Sequence, residues 1–186
     1  MEFRLAEATE RDVPVILSLI KSLAEYEQLA DQVECTTADL RASLFGPRPA
    51  AEVLIGYAGD EPAGFALYFQ TFSTFVGRPG LYLEDIFVKP EWRKQGLGRM
   101  LLARLARIAV DRGYGRMEWS VLNWNETALR VYRAVGARPM NDWTVYRLNG
   151  AALRDLAAKD VGNGGGGVNG LTTEQRSNGD RTEKTS

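Results

Sequence analysis

The first 150 residues show two patterns of apolar and polar positions, and each predicts one kind of element. Short apolar and aromatic runs bounded by Gly, Pro, Asn and Asp predict strands at residues 2–6, 51–58, 63–71, 81–88, 116–121 and 143–148. Apolar residues spaced three and four apart predict helices that begin near Thr9, Thr36, Leu97, Asn123 and Asn149. This order predicts one α/β (α+β) domain, with a mixed sheet and helices on both of its faces.

Three of these helices are predicted to begin with a capping box. In this motif the side chain of the first residue accepts from the backbone N–H three residues later, and the side chain of that later residue accepts from the backbone N–H of the first. The pairs are Thr9 with Asp12, Thr36 with Asp39, and Asn123 with Glu126.

Size and charge limit the classes of protein that fit. The chain has 186 residues and a net charge of −1, which suit one domain with no general attraction to nucleic acid. No apolar run approaches the ~20 residues of a membrane span, and the N-terminus is not typical of a signal peptide. We therefore expect a cytoplasmic protein with no membrane or nucleic-acid partner. Residues 1–159 form the predicted domain, and residues 160–186, a glycine-rich polar stretch, are predicted to be a disordered tail.

The chain has no histidine and one cysteine, Cys35. Ser-His-Asp catalysis is thereby excluded, as are sites that bind metals through histidine or several cysteines, and we expect no metal. Any general base must be a carboxylate, a tyrosine, a lysine or a relayed water.

A glycine loop follows the fourth predicted strand. Gly96 and Gly98 open an amphipathic helix, so backbone N–H groups lie beside the positive end of the helix dipole. Arg93, Lys94 and Arg99 add positive charge. The loop therefore suits a phosphate, although a plain tight turn into a helix explains the two glycines equally well.

The strand before this loop contains two adjacent carboxylates, Glu84 and Asp85, within an apolar run. In a regular strand they point to opposite faces, so at least one lies near the interior, where a charge is costly without a partner. A surface pair at a strand end is the alternative. The role of Tyr132 is equally open, since a tyrosine on a helix is more often a core residue than a catalytic one.

Together these segments resemble a known family. Arg93-x-x-Gly96-x-Gly98, between an apolar strand and a helix, resembles motif A of the GNAT superfamily of acetyl-CoA-dependent N-acetyltransferases. The run from Tyr82 to Asp85, and Asn125 with Ala128, Tyr132 and Gly136, are similar to the spermidine/spermine subgroup, including its thialysine-acetylating members. The resemblance implies a mostly antiparallel GNAT sheet, acetyl-CoA (coenzyme A) as co-substrate and a homodimer.

The resemblance also implies roles for individual residues. Glu84 would accept the proton of the substrate amine, directly or through water, and Tyr132 would protonate the departing thiolate. Coenzyme contacts would come from Ile86, Phe87, Val88, Arg93, Lys94, Gln95, Gly96, Leu97, Gly98, Arg99 and Asn125. Substrate contacts would come from Tyr26, Glu27, Glu84, Asp85 and Asp142.

Carboxylates combined with aromatic residues suit a cation, through ion pairing and cation–π contact. We therefore expect a small amine that carries a second positive charge: a polyamine, a diamine or a lysine-like amino acid such as thialysine. Two alternatives are a protein or peptide N-acetyltransferase and a non-catalytic acyl-CoA-binding module on the same fold.

Overall fold

A computed structural model of the protein describes residues 2–160, and the chain divides into two units, Met1–Arg138 and Pro139–Ser186. The first unit contains the strands β1 (Phe3–Glu7), β2 (Glu52–Ala58), β3 (Glu61–Ser73), β4 (Arg78–Val88) and β5 (Met117–Trp119). Its α-helices are α1 (Val13–Glu27), α2 (Thr37–Phe45), α3 (Leu97–Asp111) and α4 (Glu126–Ala134). The second unit contains α5 (Gly150–Ala157).

The five strands form one sheet in the order β1-β2-β3-β4-β5. The first three pairings are antiparallel, and β4 pairs with β5 in parallel. A parallel pairing needs a crossover connection, and here α3 supplies it. The predicted α/β (α+β) class and the mixed, mostly antiparallel GNAT sheet are therefore confirmed.

Helices cover both faces of the sheet. Because successive side chains of a strand point to opposite faces, the buried apolar residues form two clusters, one on each face. In β2, Leu54 packs in the same cluster as the apolar side of α3, whereas Val53 and Ile55 pack with α1 and α2. All three side chains are buried. This two-sided burial explains why the middle strands are apolar on both faces.

Gly56 of β2 determines how closely α3 approaches the sheet. A Cβ atom on this glycine would lie 2.7 Å from Cδ1 of Leu97, the first residue of α3, which is fully buried. The missing side chain at position 56 therefore lets the start of α3 rest directly on the sheet. This contact holds the loop before α3 close to the end of β4.

Two of the three predicted capping boxes are present. The Thr36 backbone N–H donates to Asp39 Oδ2 at 2.9 Å, and the Asp39 backbone N–H donates to Thr36 Oγ1 at 3.2 Å. Thr9 and Asp12 form the other, with the Thr9 backbone N–H donating to Asp12 Oδ2 at 2.7 Å.

The predicted box between Asn123 and Glu126 is wrong. Asn125 caps α4 instead, its Oδ1 accepting from the Ala128 backbone N–H at 3.1 Å. Asn125 and Ala128 also have the spacing of a cap, and Glu126 is the first helical residue, too early to serve as the third residue of a capping box.

The predicted strand at 143–148 is also absent. Within residues 139–160, the described part of the second unit, α5 is the only regular element. An isolated segment has no partner for its backbone N–H and C=O groups, so apolar alternation alone does not make a strand. The predicted fifth strand, 116–121, is shortened to Met117–Trp119.

None of the helices within residues 2–160 is both long enough and apolar enough to cross a bilayer. Residues 161–186, nearly all of the predicted tail, lie outside the described part of the chain.

Candidate active site

A β-bulge in β4 determines where the two adjacent carboxylates lie. Leu67 of β3 pairs with Asp85 and the next residue, Tyr68, pairs with Leu83, so Glu84 has no partner on β3. Leu83 packs on the α3 side of the sheet, and in a regular strand Asp85 would lie on that side too. The extra residue shifts the alternation, so that Asp85 shares a side with Phe87, which packs with α1 and α2.

Asp85 is thereby placed in a cluster of acidic side chains. Its pKa is raised from 3.8 to about 6, first by burial and then by the nearby charges of Glu84 and Glu27. Burial also raises the pKa of Glu27, which lies in the last turn of α1. Asp85 and Glu27 are therefore partly buried near each other, and the exposed Glu84 lies next to Asp85 in β4. A cation bound among them would relieve both the desolvation and their mutual repulsion.

Tyr132 of α4 faces the same region. It is partly buried, its ring centroid lies 5.0 Å from that of Trp119 in β5, and it packs against the α3-side core. Burial raises the pKa of its hydroxyl, and the charge of Glu27 raises it further. The hydroxyl therefore stays protonated at neutral pH, as a proton donor must, and it lies within electrostatic reach of Glu27, one member of the acidic cluster.

Aromatic residues and Arg93 connect the elements around this cluster. The Tyr26 ring, at the end of α1, lies 6.4 Å from the Phe87 ring and 5.9 Å from the Trp124 ring. The Arg93 guanidinium lies 4.1 Å from the centre of the Tyr26 ring, and its Nε donates to the Val88 carbonyl at 2.9 Å. Segments from α1, β4 and the approach to α4 therefore meet beside the carboxylates.

The glycine loop at the start of α3 is shaped for an anionic group. Gly96 has φ 99°, in the left-handed region that favours glycine, and a Cβ atom added there would meet nothing within 4 Å. The space beside the loop backbone is therefore open, next to the positive end of a 15-residue helix. Lys94 and Arg99 are exposed around it. These features fit the pyrophosphate of coenzyme A.

The side chains of several residues that are predicted to bind the coenzyme are buried or hydrogen-bonded to other parts of the protein. Leu97 is fully buried, Phe87 is buried on the α1 side, and Ile86 packs towards α3. Gln95 Nε2 donates to the Glu91 carbonyl at 3.0 Å, and Asn125 caps α4. For these residues a coenzyme contact would come from the backbone or from a remaining polar atom.

The structure brings most predicted substrate residues together. Tyr26, Glu27, Glu84 and Asp85 converge, whereas Asp142 is exposed and belongs to the second unit. Tyr82, a further aromatic candidate, has its hydroxyl 2.9 Å from Ser120 Oγ. The contact between Trp119 and Tyr132 was not predicted from the sequence. Only the position of Trp119 in a predicted strand beyond α3 could have indicated that contact.

A mostly antiparallel sheet with a glycine loop between a bulged strand and a long helix is the arrangement that the resemblance predicts for an acetyl-CoA-dependent acyltransferase. The chain belongs to the Acetyltransferase (GNAT) family, whose sequence profile matches residues 18–137. It is an N-acetyltransferase, and its resemblance to the subgroup with thialysine-acetylating members is confirmed.

Similar proteins cover most of the chain. It is 41% identical over 166 residues to a thialysine N-epsilon-acetyltransferase from Bos taurus, covering 83% of this chain and 97% of that protein. It is 30% identical over 198 residues to an L-ornithine N5-acetyltransferase from Arabidopsis thaliana, covering 82% and 87%. Among solved structures, an integron cassette protein from the mobile metagenome of V. cholerae has a TM-score of 0.72 and 25% identity. That match covers 84% of this chain and 98% of the other.

Proposed function

We propose that this protein transfers the acetyl group of acetyl-CoA to a primary amine of a small cationic substrate. One observation carries the proposal: the partly buried Glu27 and Asp85, with the exposed Glu84 next to Asp85, form an acidic cluster, and the charge of Glu27 reaches a protonated Tyr132. Cations are bound favourably in such a place, and the two kinds of group needed to move protons during amine acylation are both present.

The coenzyme would be held on the opposite, basic side of the cluster. Backbone N–H groups around Gly96, Leu97 and Gly98 would bind the pyrophosphate, with Lys94 and Arg99 adding charge. The strand backbone at Phe87 and Val88 would bind the acetyl and pantetheine end.

The proposed reaction needs no covalent enzyme intermediate. The substrate ammonium, with a pKa near ~10, first loses its proton to Glu84, directly or through one water. The free amine then attacks the thioester carbonyl, forming the C–N bond, while a strand N–H near Val88 stabilises the negative charge on the carbonyl oxygen. The C–S bond breaks, and the Tyr132 hydroxyl donates its proton to the departing thiolate. The nitrogen still carries two hydrogens after the attack, and it loses one of them through water to the Tyr132 phenolate, which leaves a neutral amide and restores the tyrosine; Glu84 releases its proton to solvent.

The acidic cluster further suggests that the substrate has a second positive charge. One carboxylate suffices to accept a proton from the reacting amine, which leaves two to bind a distant ammonium group. The names of the bovine and Arabidopsis relatives, thialysine and ornithine acetyltransferases, support amino acids with a side-chain amine. Diamines and polyamines share the same two charges.

Release of free thiol from acetyl-CoA tests the proposal directly. We expect wild-type protein to acetylate thialysine, ornithine, a diamine or spermidine at least ten times more efficiently, by kcat/KM, than an arylamine, an aminoglycoside or a lysine-containing peptide. Faster turnover of the peptide would favour a protein acetyltransferase. Coenzyme binding without turnover of any amine would favour a non-catalytic acyl-CoA-binding module.

We also propose a homodimer. The resemblance to the spermidine/spermine subgroup implies such a dimer. Sedimentation equilibrium should give twice the 20.6 kDa mass of one chain. A monomer at every concentration tested would contradict the proposal.

A further inference from the structure

Arg93 is the first residue of the motif that leads into the glycine loop, yet its guanidinium is directed to neutral groups near the amine site. Its Nε donates to the Val88 carbonyl at 2.9 Å, and its central carbon lies 4.1 Å from the Tyr26 ring centre and 5.6 Å from that of Phe87. Among residues 2–160, Arg93 forms no ion pair with a carboxylate.

The absence of an ion pair matters because three carboxyl groups lie nearby. Burial and the charges of Glu84 and Glu27 raise the pKa of Asp85, which places the three carboxyl groups in one acidic region. An arginine paired with these groups would neutralise them and occupy the place of a cationic amine. Fixed by a carbonyl and a ring instead, Arg93 leaves the carboxylates free.

The position of Arg93 also joins segments that serve the two substrates. On one side it is three residues from Gly96 of the coenzyme loop. On the other it packs on Tyr26, whose neighbour in the chain is Glu27 and whose ring also contacts Trp124, just before α4. Tyr26 lies in the last turn of α1, where a cation is additionally stabilised by the negative end of the helix dipole.

We propose that Arg93 is a positioning residue that couples coenzyme binding to amine binding, an inference that rests on the proposed function. Coenzyme in the glycine loop holds the segment from Arg93 to Gly98 in one conformation. Arg93 then fixes the Tyr26 ring, and with it the end of α1 that carries Glu27. Binding at either site thus prepares the other, and thermodynamic linkage makes this effect reciprocal.

The substitution Arg93→Lys isolates this role, because lysine keeps the charge beside the loop but lacks the planar guanidinium that stacks on a ring and donates from Nε. Calorimetry would measure the Kd of thialysine with and without saturating coenzyme A. In wild type we expect coenzyme A to tighten thialysine binding at least ~5-fold, the lower end of typical couplings. In Arg93→Lys the ratio should fall to about one.

Matched variants separate coupling from simple loss of charge or of fold. Tyr26→Leu removes the ring and should abolish the coupling, whereas Tyr26→Phe keeps the ring and should retain it. Lys94→Gln, at the adjacent exposed position, should weaken coenzyme affinity but leave the ratio at its wild-type value. In kinetics, Arg93→Lys should raise the KM for the amine several-fold more than the KM for acetyl-CoA.

The result that would overturn the inference is a wild-type coupling ratio in a folded Arg93→Lys variant, or no coupling in wild type itself. Coupling that survives in Tyr26→Leu would refute it equally, even if Arg93→Lys failed to fold. Failure of the proposed function looks different: wild-type protein would then acetylate none of the cationic amines in the thiol-release assay.

Discussion

Replacement of Asp85 by asparagine tests the acidic cluster through stability rather than activity. In the folded protein the pKa of Asp85 is raised to about 6 from an ordinary value of 3.8, chiefly by burial. Between these two values the folded state keeps a proton that the unfolded state has lost. The contribution of Asp85 to stability is therefore neutral below about pH 4, becomes unfavourable as the pH rises, and is fully unfavourable above about pH 6.

The size of this effect follows from the pKa difference. About two pKa units correspond to about 3 kcal/mol, since one unit is worth about 1.4 kcal/mol. Asparagine has nearly the shape of the protonated acid and never ionises. At pH 8, Asp85→Asn should therefore be more stable than wild type by up to about 3 kcal/mol, while at pH 4 the two proteins should be nearly equal. For a domain of this size we expect a melting-temperature difference of roughly 6–12 °C at pH 8.

Urea denaturation at several pH values between 4 and 8 is the appropriate assay. Asp60→Asn is the matched control for the substitution itself, because Asp60 is exposed in the turn between β2 and β3, away from the acidic cluster. A constant stability difference between Asp85→Asn and wild type would refute the reasoning, as would an Asn variant that is the less stable protein at pH 8. Added thialysine should stabilise wild type more than the variant, since only wild type offers the full set of carboxylates.

Three further predictions concern other parts of the chain. Gly96→Val should remove most of the affinity for coenzyme A in calorimetry while the protein stays folded by circular dichroism, because the new side chain would occupy open space beside the loop; near-normal affinity would contradict the loop assignment. Tyr132→Phe should lower kcat by about 10²–10⁴-fold with little change in the Kd of acetyl-CoA, the usual range for loss of a general acid; a change of only a few-fold would make the hydroxyl structural. Glu52→Gln should lower the free energy of unfolding by about 1 kcal/mol at pH 7, because Glu52 binds Arg112 through both oxygens and both side chains are partly exposed. Bonds from Arg112 lower the pKa of Glu52, so this loss should disappear as the pH falls through that pKa, and a loss that persists in acid would contradict the ion pair.

Features that depend on a few neighbouring residues were predictable from sequence. The capping boxes at Thr9 and Thr36 and the loop from Gly96 to Gly98 each arise from local geometry, since a side chain bonds to a backbone three residues away or a glycine adopts a positive φ. The helical period of α3 and the apolar strands β2 to β4 were equally visible. Together these were sufficient for the fold class and the family.

Features that depend on distant partners were not predictable. In a regular strand the adjacent residues Glu84 and Asp85 would lie on opposite faces, but the register between β3 and β4 inserts a bulge and moves Asp85 to the side of α1. Arg93 reads as one more cation of the coenzyme loop, yet its orientation follows from the Val88 carbonyl and the Tyr26 ring. The segment 143–148 has a strand pattern, but the described part of its own unit, residues 139–160, contains no strand for it to pair with.

The sequence by itself thus determined the elements, the glycine loop and the chemical types available, because propensity, capping and periodicity act over a few residues. Tertiary structure decided which carboxylate lies within electrostatic reach of Tyr132, which acids have their pKa raised, and where Arg93 points. Each of these depends on strand register and on how the end of α1 packs beside β4. Those distances are fixed only when segments far apart in the chain bury their apolar faces together.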